Sequence, residues 1–305
     1  MSRWAVLRPM STERSHCGAA TSDGKLFVFG GGGLGFKSLQ SAEVYDPGLD
    51  RWSEITPMPT LRSGLVAVSL QNLIFVMGGG FKKPDGTFNF LTVVEIFDSS
   101  GYSWQNGPPL RKRHDAPSAI NYQERIYLFA GHHPEAIGGP LTDPAFSCSE
   151  RFSVKANQWE EIAPLPTPRF SLGTAVVDDK IWVMGGGAFK DGRFQNFNLI
   201  EIFDPKNEKW GRREDLKLPW PSAGISVCTW KERVFIFGGN DGERISNRSA
   251  VYNPKGNQWE ELEPMPEPRA AASAAVIKDR IYLVGGRDAS GKNPTNSLLA
   301  YSPSL

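Results

Sequence analysis

Residues Asn157 to Gly187 read NQWEEIAPLPTPRFSLGTAVVDDKIWVMGGG, and their order decides the fold. A tryptophan strand comes first, then a proline-rich turn ending in Pro-Arg, then a strand of small residues. An acidic turn follows, and an apolar run closed by consecutive glycines ends the stretch. The last part recurs along the whole chain as LFVFGG (Leu26 to Gly31), IFVMGG (Ile74 to Gly79), IYLFAG (Ile126 to Gly131), IWVMGG (Ile181 to Gly186), VFIFGG (Val234 to Gly239) and IYLVGG (Ile281 to Gly286). The six copies lie 47 to 55 residues apart. A period near fifty, with four short strand signals in each unit, predicts the blades of a propeller.

Each unit also carries an aromatic residue (Tyr45, Phe97, Phe152, Phe203, Tyr252, Tyr301) and a tryptophan (Trp4, Trp52, Trp104, Trp159, Trp210, Trp259) at matching places. Double glycine, aromatic, then tryptophan at this period resembles the kelch repeat, and the resemblance covers essentially the whole chain. It implies an all-β, six-bladed kelch β-propeller. Blade three departs from the pattern, with Ala130-Gly131 in place of two glycines. Trp4 precedes every double glycine, and no tryptophan follows Tyr301. Residues 2–8 are therefore expected to supply the outer strand of the last blade, closing the ring and hiding two sheet edges. Residues 1–305 then form a single propeller, expected to stand alone.

Composition agrees. Among 305 residues are 32 glycines and 23 prolines, which mark many tight turns, and no amphipathic helix pattern appears. Lys plus Arg number 34 against 33 acids, and the net charge of +1 gives no reason to expect nucleic acid or a membrane as partner. No apolar run reaches membrane-spanning length, and the start MSRWAVLRPM lacks a signal-peptide core. Cys17, Cys148 and Cys228 are odd in number and widely spaced, as in a reduced cytoplasmic protein, here expected to be a monomer.

With strands a to d running outward from the ring centre, the b–c and d–a connections share one face. The opposite turns, such as Ser22-Asp23-Gly24 and Asp46-Pro47-Gly48, are short hairpin chemistry. The b–c connections span 14, 18, 21, 17, 13 and 15 residues in blades one to six, so the face is built up over blades two to four. Asp85-Gly86 and Asp191-Gly192 sit where hairpin tips belong, which predicts two flaps. One carries Phe81, Phe88 and Phe90; the other carries Phe189, Phe194 and Phe197. Between them lies blade three's loop with His132, His133 and Glu135. His114 and His16 enter the same face from d–a loops, so all four histidines of the chain belong to it.

Arginines end five of the proline-rich turns: Arg14, Arg62, Arg113, Arg169 and Arg269, with Trp220 taken as the blade-five counterpart. Glu43, Glu95, Glu150 and Glu201 recur on strand c, which predicts structural ion pairs in blades one to four. Blade six has Leu299 there, leaving Arg269, with Arg287 after Gly286, as candidates to grip an anionic group. No metal or other cofactor is expected: HxH, HExxH and thiolate pairs are absent, as are nucleophile-elbow and phosphate-loop motifs.

Two functions fit. One is a cofactor-independent acid/base enzyme of isomerase, cyclase or lyase type, acting on a small, partly apolar ligand. Its proton carriers would be His114, His132 or His133, oriented by Asp115 or Glu135, with His16, Arg62, Arg113, Trp220, Arg269, Arg287 and the flap phenylalanines around the ligand. The other, which the resemblance implies as the family's commonest role, is a module that grips a peptide or protein partner on the same loops. The flaps favour the first and the family favours the second; the small-ligand site is the expectation taken from the sequence, with the interaction module as its alternative.

Overall fold

A computed structural model of the chain describes residues 2–132, 145–190 and 193–304. His133, Glu135 and the Asp191-Gly192 tip therefore lie outside the described residues. Six antiparallel sheets of strands a to d surround a central axis, and the innermost a strands touch one another in turn around the ring. Blade one is typical, with strands Gly18–Ser22, Lys25–Phe29, Ala42–Asp46 and Arg51–Ile55. Among the described residues the helical content is a single 3-10 turn, Leu34–Phe36, and no helix is long and apolar enough to cross a membrane.

Ring closure follows the tryptophan period. Strand Trp4–Leu7 pairs antiparallel with Leu298–Tyr301, the c strand of blade six, with Trp4 opposite Tyr301. The Trp4 ring lies 4.9 Å from Tyr301 and 5.6 Å from Phe237, and its Nε1 donates to the Glu263 carbonyl at 3.1 Å. The same device recurs. Trp52, Trp104, Trp159 and Trp210 donate to Arg8, Thr56, Pro108 and Ala163, each on the segment leaving the preceding blade. The core is divided likewise: each of six apolar clusters lies between two neighbouring blades, as Phe29, Phe97 and Trp104 do between blades one and two.

The glycine pairs have a backbone cause, and it explains blade three. The first residue of each pair has φ near 60°, a left-handed value that Ala130 adopts at 62°. The second lies between 81° and 119°, where a side chain is strained. A Cβ on Gly131 would also come within 2.6 Å of the Asp115 carbonyl. The second position is thus strained for any side chain, whereas the first holds alanine in blade three; in the other five blades a Cβ there would fall 2.2 to 2.8 Å from a backbone carbonyl.

Both flaps form. In blade two, strand b runs on from Leu73 to Lys82 and pairs with Phe88–Phe90. In blade four, Gly187–Lys190 pairs with Arg193–Asn196 as a separate ribbon.

Candidate functional site

The loop face converges on a closed ring of hydrogen bonds. One residue per blade takes part: His16, Gly64, Ala116, Ser171, Gly224 and Ala271. Each N–H donates to the carbonyl of its neighbour around the axis, at 2.7 to 3.0 Å. All six hold a left-handed φ of 50° to 69°, and Gly64 has a further reason to be glycine. A Cβ there would fall 2.0 Å from the Asp115 Oδ1. The ring rims a central channel of about 460 Å³ lined by strand-a residues, many of them small, such as Gly18, Ala67, Ala119, Gly173 and Ala274.

Around this rim each blade offers the residue following its second glycine, bridged to a d–a loop residue. The pairs include Ser15 with Gly32, Asp115 with His132, Phe170 with Gly187, Ala223 with Asn240 and Ala270 with Arg287. Chemistry concentrates in blade three. The His132 Nδ1 lies 2.8 Å from the Asp115 Oδ2, so in the neutral ring Nδ1–H donates to the carboxylate. No described residue hydrogen-bonds its Nε2, which is left as an acceptor. The imidazole stacks on Phe170 at 3.7 Å and lies nearly parallel to Phe90 at 6.0 Å. Phe170 in turn touches Phe189 and Phe194. One aromatic stack thus runs from the blade-two flap through His132 to the blade-four flap.

Blade six adds positive charge beside blade one. The Arg287 guanidinium lies 3.9 Å over the Phe36 ring and donates to the Gly291 carbonyl at 2.8 Å. Burial first, then Arg287 and then His132, push the His16 imidazole down from 6.5 to about 3, so it is neutral at physiological pH. Its Nδ1 is 3.1 Å from the Ser15 hydroxyl. His16, His132 and Arg287 are therefore brought together electrostatically at the mouth of the channel.

Other expected ligand residues are elsewhere. His114 is fully buried, with Nδ1 on the Ala130 carbonyl at 2.7 Å and Nε2 3.1 Å from the Glu150 Oε1, so it does not reach the face as a proton carrier. It occupies the place that arginine holds in neighbouring blades, and Arg113 beside it is exposed. Arg62 is fully buried on Glu95, one of the expected structural pairs, and cannot also meet a ligand. Arg269 is buried as well. It donates to the Gly285 carbonyl at 2.8 Å and finds its carboxylate on Glu267, two residues upstream, rather than on strand c. Trp220 is buried too; its Nε1 donates to the Gly238 carbonyl at 3.1 Å, beside the Ser222 hydroxyl at 2.9 Å. Phe81 and Phe197 are half-buried, while Phe88 and Phe194 are exposed.

The sequence held a sharper signal than arginine itself. The side chain that caps the first-glycine carbonyl stands 16 residues ahead of it at Arg14, His114, Arg169, Ser222 and Arg269. Held strictly, that interval selects His114 over Arg113 and Ser222 over Trp220. The residue one step later and the one after the second glycine then name Ser15, Phe170 and Asn240, which composition alone left unremarked.

A closed ring of six blades with double-glycine b strands, outer tryptophans and its varied loops on one face is a repeat propeller. The family model of the KLHDC2/KLHL20/DRC7 Kelch-repeats domain matches residues 64–286, and that of the Kelch motif matches residues 13–59. The chain belongs to the kelch-repeat family. It is similar to Kelch-like protein 40 of Mus musculus, 31% identical over 124 residues, which are 40% of this chain and 20% of that protein. It is similar also to Beta-scruin of Limulus polyphemus, 26% identical over 157 residues, 49% of this chain and 16% of the relative. The chain thus matches a fifth or less of either relative's length. Among solved structures, "Structure of YjhT" superposes with a TM-score of 0.76 over 96% of both chains at 15% identity, a likeness of fold.

Proposed function

We propose that the loop face is a docking surface for a protein partner, gripping an extended segment across the channel mouth. The observation that carries this reading is the placement of exposed apolar side chains. Of the eight large hydrophobic residues most exposed among the described ones, five (Leu34, Phe36, Leu61, Phe88 and Phe194) stand on this face around the mouth. Scattered apolar residues need no explanation, but a rim of them around a polar centre is what a protein interface offers. The flap phenylalanines pack on one another and on His132, so they brace a surface more than they wall a pocket. Protein interaction is also the usual work of the family. The three free thiols suit a reducing compartment such as the cytoplasm.

A second reading is favoured by one observation, the Asp115-oriented His132, whose Nε2 no described residue hydrogen-bonds, beside Arg287 and the neutral His16. That arrangement suits acid/base chemistry on a small anionic ligand that is partly apolar. The experiment is selection of binders from a displayed peptide library, followed by affinity measurements on Leu34→Glu and Phe88→Glu, with Leu49→Glu and Val154→Glu on the opposite face as controls. Loss of about 2 kcal/mol or more in the loop-face variants alone supports docking. Unchanged affinity in both overturns it. If no peptide binds but a small acid does, and His132→Gln binds without turnover, the second reading replaces the first.

A further inference from the structure

Beneath the mouth, at the root of blade three, the repeat changes its chemistry. Blades one, two and four place a guanidinium against the strand-c glutamate, Arg14 on Glu43, Arg62 on Glu95 and Arg169 on Glu201, with every partner buried. In blade three an imidazole replaces the guanidinium. Cys148 also stands two residues before the glutamate, where blade one has Ser41, whose hydroxyl accepts from the Arg14 Nη2 at 3.1 Å. We propose that His114, Cys148 and Glu150 form a buried site for a divalent transition metal, with Zn²⁺ the ion that their nitrogen, sulfur and oxygen donors fit best.

Three observations carry this. A ring nitrogen of His114, the Cys148 Sγ and a Glu150 oxygen all lie within 4.8 Å of one another. His114 also faces two acceptors, the Ala130 carbonyl at 2.7 Å and the Glu150 Oε1 at 3.1 Å. In the neutral ring Nδ1–H donates to Ala130, which turns the Nε2 lone pair toward the Glu150 carboxylate, as two ligands of one ion face each other. Third, the outer contacts are those a metal site uses. Nδ1–H held by a backbone carbonyl fixes the tautomer that leaves Nε2 free to ligate. Glu150 is held from behind by the N–H groups of Arg111 at 2.9 Å and Lys112 at 2.8 Å.

On binding, Cys148 loses its thiol proton to solvent and ligates as thiolate, His114 ligates through the Nε2 lone pair, and Glu150 through a carboxylate oxygen. Cys148 is half-buried, which leaves room for a water as fourth ligand. Glu161, across from Glu150 in the strand register, brings a second carboxylate to the same side of the sheet. His114 and Glu150 are 36 residues apart in the chain, so no compact motif announces the set.

The test titrates the full chain with Zn²⁺ against a chromophoric chelator, and with Co²⁺ while following thiolate-to-cobalt charge-transfer absorbance. We expect one equivalent bound, with a cobalt–thiolate band and release of protons. Cys148→Ser, which copies blade one, should weaken binding by at least about 100-fold, whereas Cys228→Ser should leave it unchanged. His114→Arg rebuilds the ion pair of the neighbouring blades, so it should fold and melt normally yet bind no metal. Absence of a tight equivalent, or binding indifferent to His114→Arg and Cys148→Ser, overturns the site.

Discussion

Substituting Arg169 by alanine isolates the energetic role of the repeated arginines. Arg169 is fully buried and its guanidinium makes four contacts: Nε to the Gly185 carbonyl at 2.7 Å, Nη2 to the Val183 carbonyl at 3.0 Å, and Nη1 to the Thr167 carbonyl at 2.9 Å and the Glu201 Oε2 at 2.5 Å. The alanine variant leaves Glu201 buried, with Thr167 as its remaining partner through N–H and hydroxyl. Breaking a buried pair in this way costs about 3–5 kcal/mol. At roughly 2 °C per kcal/mol for a chain of this size, melting should fall by about 6–10 °C. The double variant Arg169→Met, Glu201→Leu removes the uncompensated charge and should recover most of the loss. Arg269→Ala should cost less, about 1–3 kcal/mol, because Glu267 is half exposed and returns to water while two carbonyls lose their donor. Calorimetric melting of the four proteins decides. An Arg169→Ala protein within 1 °C of the parent, or a double variant as unstable as the single, would refute the reasoning.

Other outcomes follow from the same geometry. Trp4→Ala should destabilise by about 3–5 kcal/mol in denaturant titration, since the buried ring seals the last blade; unchanged stability would mean that closure does not depend on it. In the hydrogen-bonded ring, Ala271→Gly relieves a φ of 54° and should raise stability by up to about 1 kcal/mol. Gly64→Ala, whose Cβ would meet the Asp115 Oδ1, should lower it and loosen His132, seen as a shifted imidazole NMR signal. His16 titrates near 6.5 when unfolded and near 3 when folded, so over that window the unfolded state holds more protons and stability falls as pH falls. His16→Asn, which tolerates the left-handed φ, should flatten the decline between pH 6.5 and 3; an unchanged slope would place its cause elsewhere.

The fold was legible because a period repeated six times outweighs any local ambiguity, and because Trp4 stood out of phase with every double glycine. The flaps were legible from Asp85-Gly86 and the length of their connections. The site was legible only in part. His132, Asp115, His16 and Arg287 were named from residue type and loop, and the structure brings them to one mouth. The arginine sorting failed for a physical reason: a buried guanidinium needs a carboxylate in space, and in blade six Glu267 supplies it from the turn rather than from strand c. Arg113 and His114 are adjacent basic residues, so a one-residue slip exchanged a surface guanidinium for a buried imidazole. Ser15, Phe170 and Asn240 went unremarked because each is one ordinary residue in its own blade, and the ring alone gathers them.

The claim that the loop face is where a partner docks is tested most directly by amide hydrogen exchange on the chain, free and bound to a selected peptide. The prediction is protection confined to the blade-one turn at Leu34–Phe36, the blade-two flap and the blade-four flap, with the turns at Leu49 and Val154 unchanged. Protection at those opposite turns, with the loop face exchanging as in the free chain, would contradict it.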